Sequence, residues 1–279
     1  MPKAEKLTKA QVRQRFLLAL QSKGSLGKST LAGLTTEFCL HNQIPFDAID
    51  CDPGHHTLLD RYPDHAIAFK LTERRDDFGQ LLNPLPAAPV VLWDFRSNYT
   101  QNFIDHDGYY SIADALAEAG ARMTMFLFES DNTNAQDSAA ALFEHFGEAI
   151  DWVLVANPGA VPKHAEFRQI GLYQVLMERK TPVLDLPQIS TVSLNAWSAL
   201  EAKEQRFLSI GSVIQHPELP FVARRELSKV LDRVFVQFED LGTLLVPDEA
   251  LIKNRCTRVQ SSRPTTPMNR FQNPLLARK

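Results

Sequence analysis

The apolar residues of this chain form two recurring patterns, short unbroken runs and longer stretches with one apolar face. Unbroken runs are typical of strands buried on both faces, and apolar residues three or four apart are typical of helices. The runs predict strands at 16–20, 44–50, 90–94, 123–128, 152–156 and 183–186. The helical spacing predicts helices after residue 28 and at 134–146, 166–178 and 221–238. This alternation predicts a doubly wound, mainly parallel α/β sheet with helices on both faces.

Composition divides the chain into three parts. Residues 1–15 form a basic extension, residues 16–250 carry the alternating pattern of one domain, and residues 251–279 are basic and rich in Pro, Ser, Thr and Asn. Such a composition is typical of a disordered tail. The proline-containing segment 75–89 is predicted to be a surface connection before the strand at 90–94.

The first strand and first helix are joined by a segment with the composition of a phosphate-binding loop. Its residues 23–29 read Lys-Gly-Ser-Leu-Gly-Lys-Ser. Glycines allow the backbone to approach an oxyanion closely, and the N–H groups at the start of a helix favour phosphate. Lys28 is placed to reach the β- and γ-phosphates, and the Ser29 hydroxyl is placed to ligate Mg²⁺. The predicted nucleotide contacts are Gly24, Ser25, Leu26, Gly27, Lys28, Ser29 and Thr30.

Carboxylates follow the next two predicted strands. Asp50 and Asp52 end the second strand, and Asp94 ends the apolar run 90–93. In a parallel sheet these carboxylates lie at the edge that carries the phosphate loop. They are placed to hold Mg²⁺ through water or to orient an attacking water molecule. The order of the three motifs predicts a P-loop NTPase, with Asp94 in the position of a Walker B carboxylate.

The loop differs from the strict pattern G-x-x-x-x-G-K-[ST], because Ser22 stands at the first glycine and Lys23 follows it. In this it resembles the deviant Walker A motif, K-G-[G]-x-G-K-[ST], of the ParA/MinD family of ATPases. That resemblance implies that Lys23 reaches the phosphates of a partner subunit in a nucleotide-sandwich dimer. It also implies a catalytic role for Lys23, Lys28 and Asp52, with Asp52 orienting the hydrolytic water and Asp50 in the outer shell of Mg²⁺.

Two loops beyond the third motif extend the resemblance. Asn157 and Pro187 each follow a predicted strand, where similar ATPases contact the adenine. An asparagine before a proline is also a common turn starter, so the turn reading stays open for Asn157. The chain looks closest to the TraL-like and StbB-like proteins of conjugative and mobilisable plasmids. This similarity implies a cytoplasmic, ATP- and Mg²⁺-dependent homodimer that serves plasmid transfer, partition or maintenance with a transfer or partition protein.

Two departures from the family pattern affect the expected activity. Ser25 stands where the family has glycine, and Gly54-His55-His56-Thr57 stands where it has Gln-Gly-Asn or a close variant. A slowly hydrolysing switch ATPase is therefore one reading, and a nucleotide-binding adaptor with little or no turnover is another. A small-molecule kinase on the same loop is a third. His55, His56 and His65, with Asp52, Asp60 and Asp64 nearby, leave a metal site or an ordinary polar surface as alternatives.

Charge and cysteine content bear on the binding partners and the cellular compartment of the protein. The whole chain has a formal charge of −3, residues 253–279 carry +7 and residues 1–15 carry +4, so the remaining body carries −14. The basic tail is placed to contact DNA or an acidic partner surface, or simply to balance the body. No apolar run reaches the roughly 18 residues of a membrane span. Three cysteines without a C-x-x-C pair favour a reducing compartment, hence the cytoplasm.

Overall fold

The structure is a computed structural model that describes residues 11–52, 54–72, 74–83, 85–159 and 166–250. Seven strands form a single sheet in the order β3-β2-β4-β1-β5-β6-β7. Every pair of neighbouring strands is parallel. The strands are β1 (Gln14–Leu18), β2 (Phe46–Cys51), β3 (Ala66–Ala68), β4 (Val90–Phe95), β5 (Ala121–Phe128), β6 (Asp151–Ala156) and β7 (Val183–Asp185). The predicted doubly wound parallel sheet is confirmed.

The described residues form ten α-helices, of which α1 to α7 lie between strands and α8 to α10 follow β7. They are α1 (Lys28–His41), α2 (Thr57–Arg61), α3 (Arg75–Leu82), α4 (Thr100–Tyr110), α5 (Ile112–Glu118), α6 (Thr133–Phe146), α7 (Gly171–Glu178), α8 (Thr191–Glu204), α9 (Ile210–Gln215) and α10 (Phe221–Leu241). No helix of the described residues is both long and apolar enough to cross a bilayer.

The helices cover both faces of the sheet and create two apolar clusters. One cluster contains buried side chains of α1, α2, α8, α9 and α10. The other contains buried side chains of α3, α4, α5, α6 and α7. Strands β1, β4 and β5 send alternate residues into each cluster because successive side chains point to opposite faces. This double burial explains why the central strands are continuous apolar runs.

Two sequence-based element predictions are wrong. The segment 75–89, predicted as a surface connection, begins with α3, whose Phe78 and Leu81 are buried against the sheet. The predicted helix 166–178 is a short 3₁₀ turn, Phe167–Gln169, followed by α7. The chain is extended at Ile170, with ψ 148°, which interrupts the helix. Residues 1–10 of the predicted extension and the predicted tail 251–279 lie outside the described residues.

Candidate phosphate-binding site

The loop between β1 and α1 adopts a tight conformation that two residues make possible. Ser25 has φ 60° and Gly27 has φ 101°, both in the left-handed region. Gly27 is also crowded, since a Cβ there would lie 2.4 Å from Asn157 Nδ2. Only glycine combines this dihedral with this contact, so the sequence reading of Gly27 as a loop glycine has a physical basis.

Side chains from three other segments hold the loop in place. Gln21 is buried and bonds to β5, with its Nε2 donating to Phe128 O at 2.9 Å and its Oε1 accepting from Phe128 N at 2.5 Å. Ser22 N donates to Ser138 Oγ on α6 at 3.0 Å. Thr100, the first residue of α4, donates to Leu20 O. The loop is therefore braced against the two elements that follow β4 and β5.

Lys28 points into the curve of its own loop. Its Nζ donates to Gln21 O at 3.1 Å, to Lys23 O at 2.6 Å and to Ser97 Oγ at 3.3 Å. Burial lowers the pKa of Lys28 to about 8, against an opposing effect of Asp94 and Asp52. The ammonium thus sits among neutral oxygens at the place where a phosphate group would satisfy it far better.

Asp94 and Asp50 lie side by side on adjacent strands next to Lys28. They are directly paired in the register of β4 and β2. Burial raises the pKa of Asp94 to about 7, and the Ser29 hydroxyl, which donates to this carboxylate, partly opposes the shift; Asp50 adds to it. A buried pair of carboxylates beside a hydroxyl is a donor set that suits a hard divalent cation such as Mg²⁺.

Asp50 also organises the start of α2. Its Oδ2 accepts from Leu58 N and Leu59 N at 3.1 Å each, and its Oδ1 accepts from Asp52 N at 3.1 Å. His56 Nδ1 lies 3.5 Å from the same Oδ1. Asp50 is fully buried, so these backbone donors stabilise its charge. Its predicted place in the outer shell of Mg²⁺ stays a prediction.

Asp52 lies one residue beyond β2 and is half-buried. Its Oδ1 accepts from Gly54 N at 2.9 Å and from His55 N at 3.2 Å, which forms a local turn. Its charge acts on both Lys28 and Asp94, so the structure brings it to the same site. Pro53 of the D-x-D-P segment lies outside the described residues.

The other predicted loop contacts occupy distinct positions. The side chains of Lys23, Ser25 and Thr30 are exposed, Leu26 is buried, and Gly24 lies within reach of Ser97. An exposed Lys23 leaves its ammonium outside the curve that holds Lys28. The predicted reach of Lys23 into a second subunit stays a prediction.

Asn157 contacts the phosphate loop itself. Its Nδ2 donates to Leu26 O at 2.8 Å, which fixes the loop after β6 to the loop after β1. Gly159 lies between Asn157 and Gln188, so the loops that follow β6 and β7 are neighbours. Half-buried Pro187 belongs to the second of these loops. The predicted adenine contacts of Asn157 and Pro187 stay predictions.

The histidine metal site considered from the sequence is not supported. Among the described residues no group of three or more His, Cys, Asp or Glu side chains is arranged to hold a metal ion. His65 belongs to a different part of the surface, near Phe46 and a groove beside the end of α1. His55 and His56 follow β2, and His56 is the residue that precedes α2.

Several site residues were not predicted from the sequence. Gln21 and Ser97 contact the loop or Lys28 only because strands far apart in the chain are adjacent in the sheet. Glu129 follows β5 directly, is 1% exposed and accepts from Arg168 Nη2 at 3.0 Å. A carboxylate directly after the apolar end of a strand, Met125–Phe128, is the signal that could have identified Glu129.

The loop and the start of α1 thus join the first strand of an all-parallel sheet to the helix that follows it. No family model matches the chain, and no curated protein sequence matches it. Among solved structures it is similar to a ParA family ATPase from Chlorobium tepidum, at 13% identity and a TM-score of 0.45, over 81% of this chain and 98% of that one.

Two further similar structures are chloroplast FtsY from Physcomitrella patens and FlhF in complex with GTP and Mg²⁺. FtsY is 12% identical with a TM-score of 0.43, over 67% of this chain and 64% of FtsY. FlhF is 13% identical with a TM-score of 0.40, over 65% of this chain and 66% of FlhF. The chain thus spans just under two thirds of each.

Proposed function

We propose that this chain is an ATP-binding, slowly hydrolysing switch ATPase of the ParA/MinD type that forms a dimer with ATP. The observation that carries the proposal is the position of Lys28, whose Nζ is enclosed by the carbonyls of its own loop beside a buried carboxylate. An ammonium held this way is poised for an anion, and a serine–aspartate pair next to it is poised for a cation.

In this proposal each residue has a defined task. Lys28 and the loop N–H groups hold the β- and γ-phosphates, while Ser29 and Asp94, with Asp50 behind them, hold Mg²⁺. The cation, once bound, neutralises charge on the phosphoryl group. Asp52 orients the attacking water from the end of β2, and Lys23 contacts the phosphates of the second subunit. Asn157 and Pro187 lie beside the base.

The cellular role that we propose is plasmid transfer, partition or maintenance in the cytoplasm, together with a transfer or partition protein. It rests on the resemblance of residues 23–29, residues 50–53 and Asn157 to plasmid-encoded ATPases. The contact of residues 253–279 with DNA belongs to the same proposal, and that segment lies outside the described residues.

Calorimetric titration with nucleotide tests the binding site. We expect wild-type protein to bind Mg²⁺-ATP and Lys28→Ala to lose at least about tenfold in affinity, because a charge-assisted phosphate contact contributes about 1.5–3 kcal/mol. Lys229→Ala, an exposed lysine of α10, is the matched control and should bind as wild type does. Equal affinity of Lys28→Ala and Lys229→Ala would exclude this loop as the phosphate site. The same titration with GTP in place of ATP tests which base the site selects.

The mass of the protein in solution tests the switch. Asp52→Ala should bind ATP but hydrolyse it more slowly, so that the ATP-bound dimer accumulates and its measured mass doubles on addition of Mg²⁺-ATP. Light scattering after size-exclusion chromatography gives this mass directly. A monomer with and without ATP in Asp52→Ala refutes the dimer switch. If the wild type also releases no phosphate, the result favours the alternative function, a nucleotide-binding adaptor with little or no turnover. The side chain of Ser25, at a loop position where the family has glycine, supports that alternative.

A further inference from the structure

A groove of about 570 Å³ lies at the end of α1 remote from the phosphate loop. Its walls are the last turn of α1, the connection from α2 to β3, residues 206–209, α9 and α10; we call it the α1–α10 groove. Its size is that of sites which enclose several side chains or a small ligand. The nucleotide chemistry described above uses no residue of this groove.

The floor of the α1–α10 groove is apolar. It contains Leu40, Leu208, Leu231 and Phe235, and Phe207 stands at its edge with 53% of its surface exposed. Burial of this half-exposed ring by another segment would be favourable, because it would remove apolar surface from water. The groove therefore favours an occupant that has apolar side chains of its own.

The rim of the groove carries more negative than positive formal charge. Three carboxylates line it, Glu37, Asp60 and Asp64, against the guanidinium groups of Arg61 and Arg206. Arg61 Nη1 already donates hydrogen bonds to Glu201 Oε1 at 2.7 Å and to Leu208 O at 2.5 Å.

The Glu37 carboxylate already accepts hydrogen bonds from Tyr62 OH and Gly211 N within the chain. Asp60 and Asp64 are exposed, and the groove belongs to a body of formal charge −14. His41 and His65 also face the groove and are counted as neutral. The rim therefore favours a basic occupant.

We propose that residues 251–279 of this chain dock in the α1–α10 groove. The segment has seven basic residues from 253 onward and no acidic one, so it complements Asp60 and Asp64. It also contains Phe271, Leu275 and Leu276, which match the apolar floor. This proposal is independent of nucleotide binding.

The end of the described chain is compatible with this docking. α10 supplies Leu231 and Phe235 to the groove, and the same apolar cluster is contacted by Ala250, the last described residue. Twenty-nine residues remain after it, and an extended chain of that length spans up to about 100 Å. A domain of this size has a radius of gyration of only about 18 Å, so the groove is within reach.

Site-specific photo-crosslinking in the full chain tests the docking. Phe207→p-benzoylphenylalanine places the probe at the edge of the groove, and the same replacement of exposed Tyr109 on α4 is the control. Illumination should crosslink position 207, and not position 109, to peptides from residues 251–279 within a single chain. Crosslinks to other segments, or none, would overturn the proposal. A product of doubled mass would identify a second copy of the chain as the occupant instead.

Charge reversal at the rim gives a second measurement. The pair Asp60→Lys and Asp64→Lys should lower the crosslinking yield about fivefold, because the attraction of both exposed carboxylates for the basic segment becomes repulsion. The matched pair Glu118→Lys and Asp137→Lys, on α5 and α6, adds the same charge elsewhere and should leave the yield unchanged. Hydrogen exchange of residues 251–279 should accelerate only in the first pair. Equal effects of the two pairs would overturn the docking, and circular dichroism confirms that both are folded.

Discussion

Ser25 occupies a backbone conformation that side chains disfavour. Its φ of 60° lies in the left-handed region, and its side chain is exposed, so contacts with neighbours do little to offset the strain. This conformation costs roughly 1–2 kcal/mol for a residue with a Cβ. The resemblance to deviant Walker A loops implies glycine at this position, and the dihedral gives a physical reason for that preference.

Replacement of Ser25 by glycine should therefore stabilise the folded protein. We expect Ser25→Gly to raise the free energy of unfolding by up to about 1 kcal/mol, because strain is relieved while the unfolded chain gains some entropy. Urea denaturation without nucleotide measures the change. Thr30→Gly, in the first turn of α1, should lower the stability by about 0.3 kcal/mol instead, the difference between the helix propensities of threonine and glycine. A loss of stability in both variants would show that Ser25 is not strained.

At the residue scale, the lysine, serine and aspartate of the candidate site could be predicted from the sequence, but the neutral side chains that hold the loop in place could not. Lys28, Ser29 and Asp94 stand in a recognisable order along the chain, so their proximity could be predicted. Gln21 could not be assigned, because its partner Phe128 is 107 residues away and a lone glutamine has no motif. Tertiary contacts of neutral side chains leave no periodic signal in one sequence.

The five-residue helix α2 connects two regions of the molecule. Its first turn donates two backbone N–H groups to Asp50 beside the phosphate loop. Its last residue, Arg61, lies over the rings of Trp197 and Phe207 at 5.0 and 5.6 Å, at the edge of the α1–α10 groove. So short a helix has little stability of its own, and these end contacts hold it in place.

Removal of the Asp50 carboxylate should loosen α2. Asp50→Ala leaves the N–H groups of Leu58 and Leu59 without an acceptor, and Leu58 is buried, so we expect a loss of about 2–3 kcal/mol in unfolding free energy. Amide hydrogen exchange at residues 58 and 59 should accelerate in the same variant. Asp52→Ala is the control, since it leaves only exposed donors unmatched. If the exchange rates at 58 and 59 stay unchanged, Asp50 does not anchor the helix.

At the element scale, the strands were predicted better than the helices. Buried parallel strands are unbroken apolar runs, and the six predicted runs all contain strands. The elements that were not predicted are the three-residue strand β3 and the helices α2, α3, α4, α5, α8 and α9. Four of these six helices (α2, α3, α5 and α9) have eight residues or fewer, which hold too little periodicity to detect. α3 also has Gly79 at its centre and lies in a proline-containing segment, which favoured a loop.

At the scale of the whole molecule, the sequence indicated the layers but not the arrangement within them. Alternating strands and helices predicted a sheet covered on both faces, which the two apolar clusters confirm. The strand order, with β1 between β4 and β5, depends on pairings between distant segments that one sequence does not display. The α1–α10 groove was missed for the same reason, since its walls come from five separate parts of the chain.

The amino ends and the carboxyl ends of the strands carry two separate groups of polar side chains. At the amino edge, Asp151 on β6 accepts from Arg15 Nη1 of β1 at 2.5 Å and from Arg122 Nε of β5 at 2.8 Å, which ties three strands together. None of these residues belongs to the candidate phosphate-binding site at the carboxyl edge. Exchange of Lys28 therefore leaves the ion pairs of Asp151 with Arg15 and Arg122 intact. A single substitution at Lys28 would thus change the candidate phosphate-binding site in a chain that keeps its architecture.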